Sequence, residues 1–191
     1  MDLLVIHYIS LPPDVFGGPA IADFFTNRLD PAAHPFFAQI AGMEASAHFL
    51  IRRDGALVQF VPCARRAWHA GESSWRGRPR CNDYSIGIEV EGSGNVPFTD
   101  AQYGSLAALT RALRARYPIG EIVGHSDIAP GRKQDPGPYF DWPRYRAMIR
   151  ERDRVARARG RKKPSRATAN ARRKGRAARR KPPSVRRTRR A

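Results

Sequence analysis

The chain has 191 residues, 41 % of them hydrophobic, which suits one soluble domain and leaves little room for a second. Its net charge of +18 sits at one end: residues 151–191 hold 19 Lys/Arg against 2 Asp/Glu, a net of +17, and residues 1–150 hold 16 against 15, a net of +1. This excludes a folded domain that is itself strongly basic, and no run approaches the roughly 18 consecutive apolar residues of a membrane helix.

Taken in chain order, Leu3–Ile9 reads as the first strand. Leu3, Val5, His7 and Ile9 alternate with Leu4, Ile6 and Tyr8, and both faces are mostly apolar, so the strand belongs in the middle of its sheet. A short amphipathic helix follows Gly17-Gly18-Pro19, with Ile21, Phe24 and Phe25 inward. His48–Ile51 and Leu57–Val61 flank Arg53-Asp54-Gly55, a hairpin signal. Residues 71–83 are polar and rich in Gly, Arg and Ser, and are expected to form a surface loop.

Tyr84–Glu91 alternates again. Tyr84, Ile86, Ile88 and Val90 point one way and Ser85, Gly87, Glu89 and Glu91 the other, the more polar side, where Glu89 need not be buried. Thr99-x-x-Gln102 fits a capping box at the start of a helix striped by Tyr103, Leu106, Leu109 and Leu113 and closed by Pro118. Ile119–Val123 is a last short strand ending at Gly124-His125. The loop from His125 to Pro138 is too rich in Gly and Pro for a helix, and Asp141-Trp142-Pro143 opens the final helix. These elements make a mixed α/β (α+β) domain over residues 1–152, a central mixed β-sheet flanked by helices. Residues 153–191 lose all apolar periodicity and are expected to be a disordered Arg/Lys-rich tail.

The five histidines carry the chemical interest. His7 lies mid-strand in an apolar run, where an unpaired polar ring would cost roughly 1–3 kcal/mol, so something must satisfy it. His125 ends a strand, and its loop returns Asp135 ten residues later. Two imidazoles and a carboxylate are a common catalytic zinc set that leaves one position for water.

The segments Val5-Ile6-His7, Ser46-Ala47-His48-Phe49-Leu50-Ile51, Trp68-His69-Ala70-Gly71, Ile86-Gly87-Ile88-Glu89 and Gly124-His125…Lys133-x-Asp135-Pro136-Gly137 stand in one order. In that order the chain resembles the zinc-dependent N-acetylmuramoyl-L-alanine amidases, the fold group of phage T7-type lysozymes and peptidoglycan recognition proteins. Phe16-Gly17-Gly18-Pro19, Arg80-Cys81-Asn82-Asp83 and Phe140-Asp141-Trp142 single out the branch that acts on 1,6-anhydro-N-acetylmuramyl peptides in cytoplasmic wall recycling. The resemblance covers residues 3–148 and implies the amidase fold, with one zinc per chain on His7, His125 and Asp135. It also implies Glu89 as the catalytic carboxylate and Lys133 as a second catalytic group. Glu91 shares the face of Glu89 by alternation, and periodicity alone does not choose between them.

Tyr8, Trp68, His69 and Arg80 are the candidate substrate-binding residues, with His69 shaping the cleft wall, while His48 and His34 are read as structural and loop residues. Tyr8 and Glu44 stand where the branch usually has Asn and Arg, and the chain is expected to go without the N-terminal extension common in that branch; sugar and peptide preference are the properties these departures touch. The expected substrate is a muropeptide or anhydromuropeptide, and the expected protein is a cytoplasmic monomer. Met1-Asp2-Leu3 has an acid where a secretory signal would be basic, and Cys63 and Cys81 are expected to stay reduced. The tail is expected to bind nucleic acid or anionic envelope polymers non-specifically. A phage-type lysin using its tail on intact wall is the alternative enzyme. A muropeptide-binding module without activity is disfavoured, because Glu89, Lys133 and Asp135 are all present.

Overall fold

The computed structural model describes residues 1–150. The basic tail expected from residue 153 lies outside the described residues. Seven strands and five helices follow one another as β1 (Leu3–Ile9), α1 (Ala20–Phe25), α2 (Pro35–Gln39), β2 (Phe49–Ile51), β3 (Leu57–Gln59), β4 (Ser74–Trp75), β5 (Arg78–Pro79), β6 (Ser85–Glu91), α3 (Asp100–Arg116), β7 (Glu121–Gly124), α4 (His125–Ile128) and α5 (142–150).

The main sheet has the order β3-β2-β6-β1-β7. β1 runs parallel to both β6 and β7, β2 is parallel to β6, and only the β2–β3 hairpin is antiparallel. Buried parallel strands must be apolar on both sides, which is the pattern of β1. One face packs Leu4, Ile6, Phe49, Ile51, Ile86, Ile88 and Val90 under α3 and α5. On the other face Leu3, Val5 and Val123 pack with Ala70, Cys81, Tyr84 and Ile128. Leu50 packs beside them under α1 and α2, with Ile21, Phe24, Phe25 and Phe37.

Most sequence expectations hold here, including the capping box, where the Gln102 N–H donates to Thr99 Oγ1 and the Thr99 N–H to Gln102 Oε1. Asp141 caps α5 by accepting from the Arg144 N–H at 2.9 Å. Three expectations are corrected. Residues 71–83 are not a plain loop: they contain the β4–β5 hairpin and a 3-10 turn at Cys81–Asp83. Its two turn residues, Arg76 and Gly77, both take positive φ, the requirement of a tight two-residue turn, and Arg-Gly is a weaker signal for it than Asn-Gly. The His125 loop does begin with one helical turn, because its Gly and Pro residues start only at Pro130. Finally, β6 is buried along its whole length, Glu89 included, because both sheet faces are covered.

Candidate metal centre

His7 and Glu89 stand side by side in the β1–β6 register, near the carboxyl ends of two parallel strands. His125 comes from the first turn after β7, the neighbour of β1 on its other side. Asp135 is brought back by backbone contact: the Ser126 N–H donates to the Asp135 carbonyl at 2.9 Å. Only a glycine permits that approach at position 124, since a Cβ there would lie 2.6 Å from Pro136 Cδ. The sheet order, rather than sequence spacing, thus assembles the three.

His7 Nδ1 lies 3.0 Å from His125 Nδ1 and 2.9 Å from Asp135 Oδ2, and His125 Nδ1 lies 3.1 Å from the same oxygen. All three residues are buried. Adjacent ligands on a tetrahedral zinc are about 3.3 Å apart, given bonds of about 2.0–2.1 Å, so the triangle needs to open by only about 0.2–0.4 Å per edge to hold a zinc ion. The chemistry of the set agrees. His125 Nε2 faces the Ala70 carbonyl at 3.0 Å, which can only accept, so that nitrogen carries the proton and Nδ1 presents a lone pair inward. Arg132 also donates to the Ala70 carbonyl, at 2.7 Å.

Glu89 is buried beside this cluster, and its Oε2 has no hydrogen-bond partner among the described residues. Burial, and then the charge of Asp135, push its pKa well above the ordinary value, against the opposing charge of Lys133. A buried carboxylate that gains a proton easily suits a group that must take and return one. Glu91 is separated from it in role. Its carboxylate accepts from the Gly17 N–H at 2.7 Å and the Arg53 N–H at 3.0 Å, with Arg52 at 3.4 Å. The two glutamates that share a strand face therefore part company: Glu91 clasps two loops, and Glu89 keeps an oxygen without a partner among the described residues, next to the metal ligands.

Lys133 is exposed, with its backbone N–H on the Ala129 carbonyl, and its charge reaches both His7 and Glu89. Tyr8 is half-buried and lines a cleft of 490 Å³ together with Ser10, Asp14, Asn95 and Gln134. Trp68 is exposed under the guanidinium of Arg66, 3.5 Å from its ring centroid, and borders a cavity of 370 Å³ with Phe25, Asn27, Glu44 and Ser46. Arg80, on a left-handed backbone, pairs with Asp83 at 2.9 Å, which also holds Arg66 at 2.6 Å.

His69 corrects its expectation. It is buried behind His7 rather than on the cleft wall, with Nδ1 2.9 Å from His7 Nε2 and Nε2 3.2 Å from Ser85 Oγ. Sequence reasoning missed Ser85, Arg132 and the Ala70 carbonyl. Only Ser85 had a signal, since alternation placed it with Gly87 and Glu89.

His48 is structural, as expected: its Nδ1 accepts from the Gly87 N–H at 3.0 Å and its Nε2 donates to the Arg65 carbonyl at 3.1 Å. Burial lowers its pKa below 6.5, with the Arg65 carbonyl opposing. Below about pH 6.5 the unfolded chain takes up a proton that the fold refuses, so a contribution fully present above that pH is lost as pH falls. Urea unfolding at about pH 7.5 and 5.5 is expected to show a smaller loss of stability in His48→Asn than in the wild type; equal losses would refute this role.

Comparison with known proteins gives a consistent result. A family profile described as N-acetylmuramoyl-L-alanine amidase matches residues 1–138. The chain is 61 % identical over 150 residues to the 1,6-anhydro-N-acetylmuramyl-L-alanine amidase AmpD of Salmonella typhimurium, which spans 78 % of this chain and 80 % of that protein. A crystal structure of a selenomethionine AmpD derivative superposes with a TM-score of 0.76 at 61 % identity, covering 78 % of this chain and 84 % of the other. The amidase AmiD of Escherichia coli, in complex with the substrate anhydro-N-acetylmuramic acid-L-Ala-D-gamma-Glu-L-Lys, superposes with a TM-score of 0.56 at 36 % identity, covering 78 % and 57 %.

Proposed function

The chain belongs to the N-acetylmuramoyl-L-alanine amidase family, and from that premise we propose how its own residues carry out the reaction. It is an amidase that cleaves the bond between the lactyl group of (anhydro-)N-acetylmuramic acid and L-alanine in muropeptides, a step of peptidoglycan recycling. The observation that carries the finer reading is the buried triangle of His7 Nδ1, His125 Nδ1 and Asp135 Oδ2, with edges of 2.9–3.1 Å, beside the unpaired Glu89.

These three residues would hold one zinc ion, which supplies Lewis acidity and brings the pKa of a water toward about 7. Glu89 takes the proton of the attacking water and delivers it to the alanine nitrogen as the C–N bond breaks. The products are a free lactyl carboxylate and a peptide with a new amino terminus. Lys133 donates to the oxyanion that develops on the lactyl carbonyl. Tyr8, whose cleft also takes in Gln134 next to Asp135, and the exposed Trp68, which borders a second cavity, are assigned to the substrate, with Arg80 at greater remove because Asp83 already neutralises it.

Residues 1–152 form the catalytic domain of a monomeric, cytoplasmic enzyme, and residues 153–191 are a separate Arg/Lys-rich stretch of sequence. Cys63 and Cys81 are buried in separate core clusters, and among the described residues no helix is long and apolar enough to cross a membrane.

Mass spectrometry of products from an anhydromuropeptide and from intact peptidoglycan, with and without chelator, tests this reading. The expected result is a free anhydromuramoyl acid and an L-alanyl peptide from the small substrate, lost on chelation and regained with zinc. Full activity in rigorously metal-free protein, or an Asp135→Ala variant that keeps zinc and rate, would end the zinc assignment. Preferential cleavage of intact wall would favour a lysin instead.

A further inference from the structure

Behind the metal ligands lies a buried chain of polar groups that the reaction itself does not use. We propose that His69 is a positioning residue: held by Ser85 on one side and bonded to His7 on the other, it keeps the His7 ring protonated at Nε2 and bare at Nδ1, the nitrogen that faces the metal. The inference rests on the zinc reading above.

The direction of each hydrogen bond follows from its last member. Ser85 donates its hydroxyl to the Cys81 carbonyl at 2.6 Å, and a carbonyl can only accept. The serine oxygen is therefore an acceptor toward His69 Nε2 at 3.2 Å, and that nitrogen carries the proton. A neutral His69 then has a lone pair on Nδ1, 2.9 Å from His7 Nε2, which must donate. That leaves His7 Nδ1 unprotonated at 2.9 Å from Asp135 Oδ2 and 3.0 Å from His125 Nδ1. The Ala70 carbonyl imposes the same state on His125. With both tautomers set, three lone pairs meet with no proton among them, an arrangement that repels unless a cation lies between. Second partners of this kind raise ligand basicity and fix ring orientation.

The position of His69 is over-determined. Its ring rests on Gly87, where a Cβ would come within 2.4–2.6 Å of three ring atoms, so only glycine leaves room. The backbone N–H groups of His69 and Ala70 both donate to the buried Asn82 Oδ1, at 3.1 and 2.9 Å. Edge contacts to His7 and His48, with centroids 5.0 and 5.7 Å away, close the remaining sides.

The test is zinc affinity of the full-length protein, read by competition with a chromogenic chelator, with circular dichroism as the control for folding. His69→Leu removes the acceptor and is expected to weaken zinc binding by about 10–100-fold. Ser85→Ala leaves His69 free to take the other tautomer and is expected to weaken it in the same direction. His69→Asn keeps a carbonyl oxygen near the position of Nδ1 and is expected to recover most of the affinity, which a purely packing role would not allow. Long-range proton–nitrogen NMR should show His7 protonated at Nε2 in the wild type and less uniformly so in Ser85→Ala. Wild-type affinity in folded His69→Leu or Ser85→Ala, or a His69→Asn variant as weak as His69→Leu, would overturn the proposal. If His69→Leu does not fold, Ser85→Ala decides. Failure of the wild type itself to bind zinc would instead overturn the metal reading, so the two failures are distinct.

Discussion

Glu89→Gln is expected to lose on the order of 10²-fold or more in rate while keeping its zinc, because it removes a general base and leaves the three ligands untouched. The amide has nearly the shape of the carboxylate, so substrate binding should change little and the loss should fall on kcat. Stability should not suffer, since the substitution removes a buried carboxylate whose Oε2 has no partner among the described residues. Glu91→Gln makes the sharp comparison. It sits two residues along the same strand face, but its oxygens accept from the Gly17 and Arg53 N–H groups, and a glutamine oxygen can still accept one of these. Its expected effect is a milder loss of rate together with a lower urea midpoint. Steady-state kinetics and metal analysis on both variants decide the matter, and a reversal of the two effects would make Glu91 the base.

Removal of the residues beyond 155 is expected to leave cleavage of a small soluble muropeptide near the full-length rate and to abolish most polyanion binding. Every proposed metal and catalytic residue lies before residue 136, and residues 1–150 carry a net charge of only +1. Residues 151–191 carry +17, and Lys/Arg contacts to phosphates act through counterion release. If the tail engages 6–10 phosphates, affinity should fall by about 10³–10⁵ between about 50 and 200 mM salt. The tail holds no aromatic residue for base stacking, so binding should show little sequence preference. Fluorescence anisotropy with DNA, and sedimentation with anionic vesicles, read the effect at two salt concentrations. A shortened chain that is unfolded or inactive on the small substrate would place the tail within the domain, and one that binds DNA as tightly as the full chain would acquit the tail of that role.

The contrast between Glu89 and Glu91 shows where local pattern stops being informative. Alternation places both on one face of β6 and says nothing of what covers that face. Covering loops decide the outcome: the Gly17 and Arg53 backbones arrive from distant parts of the chain and consume Glu91, while Glu89 Oε2 finds no partner among the described residues. His69 makes the same point. Its neighbour Trp68 is exposed, which invites placing both in the cleft, yet the ring turns inward because Gly87 leaves a gap on β6 of the right size. The β4–β5 hairpin escaped notice because a turn with two positive φ values was built on Arg-Gly, and positive φ is nearly invisible in an arginine.

What the sequence by itself determined is whatever depends on periodicity, caps and ordered motifs: β1, β6 and α3 with its capping box, the helix onset at Asp141, the split between a near-neutral domain and a basic tail, and the set His7, His125 and Asp135. All but the last are properties of short segments, specified by short-range sterics, hydrophobic alternation and composition; the set His7, His125 and Asp135 is what the ordered motifs of the family resemblance imply. What only the tertiary structure decided is the contact among segments. The order β6-β1-β7 sets His7 between Glu89 and His125, although 82 and 118 residues of chain separate them. The tautomers of His125 and His69 depend on the Ala70 carbonyl and the Ser85 hydroxyl, each from another segment, because the proton on a neutral ring goes to the nitrogen that faces an acceptor, and that acceptor is supplied only by the fold.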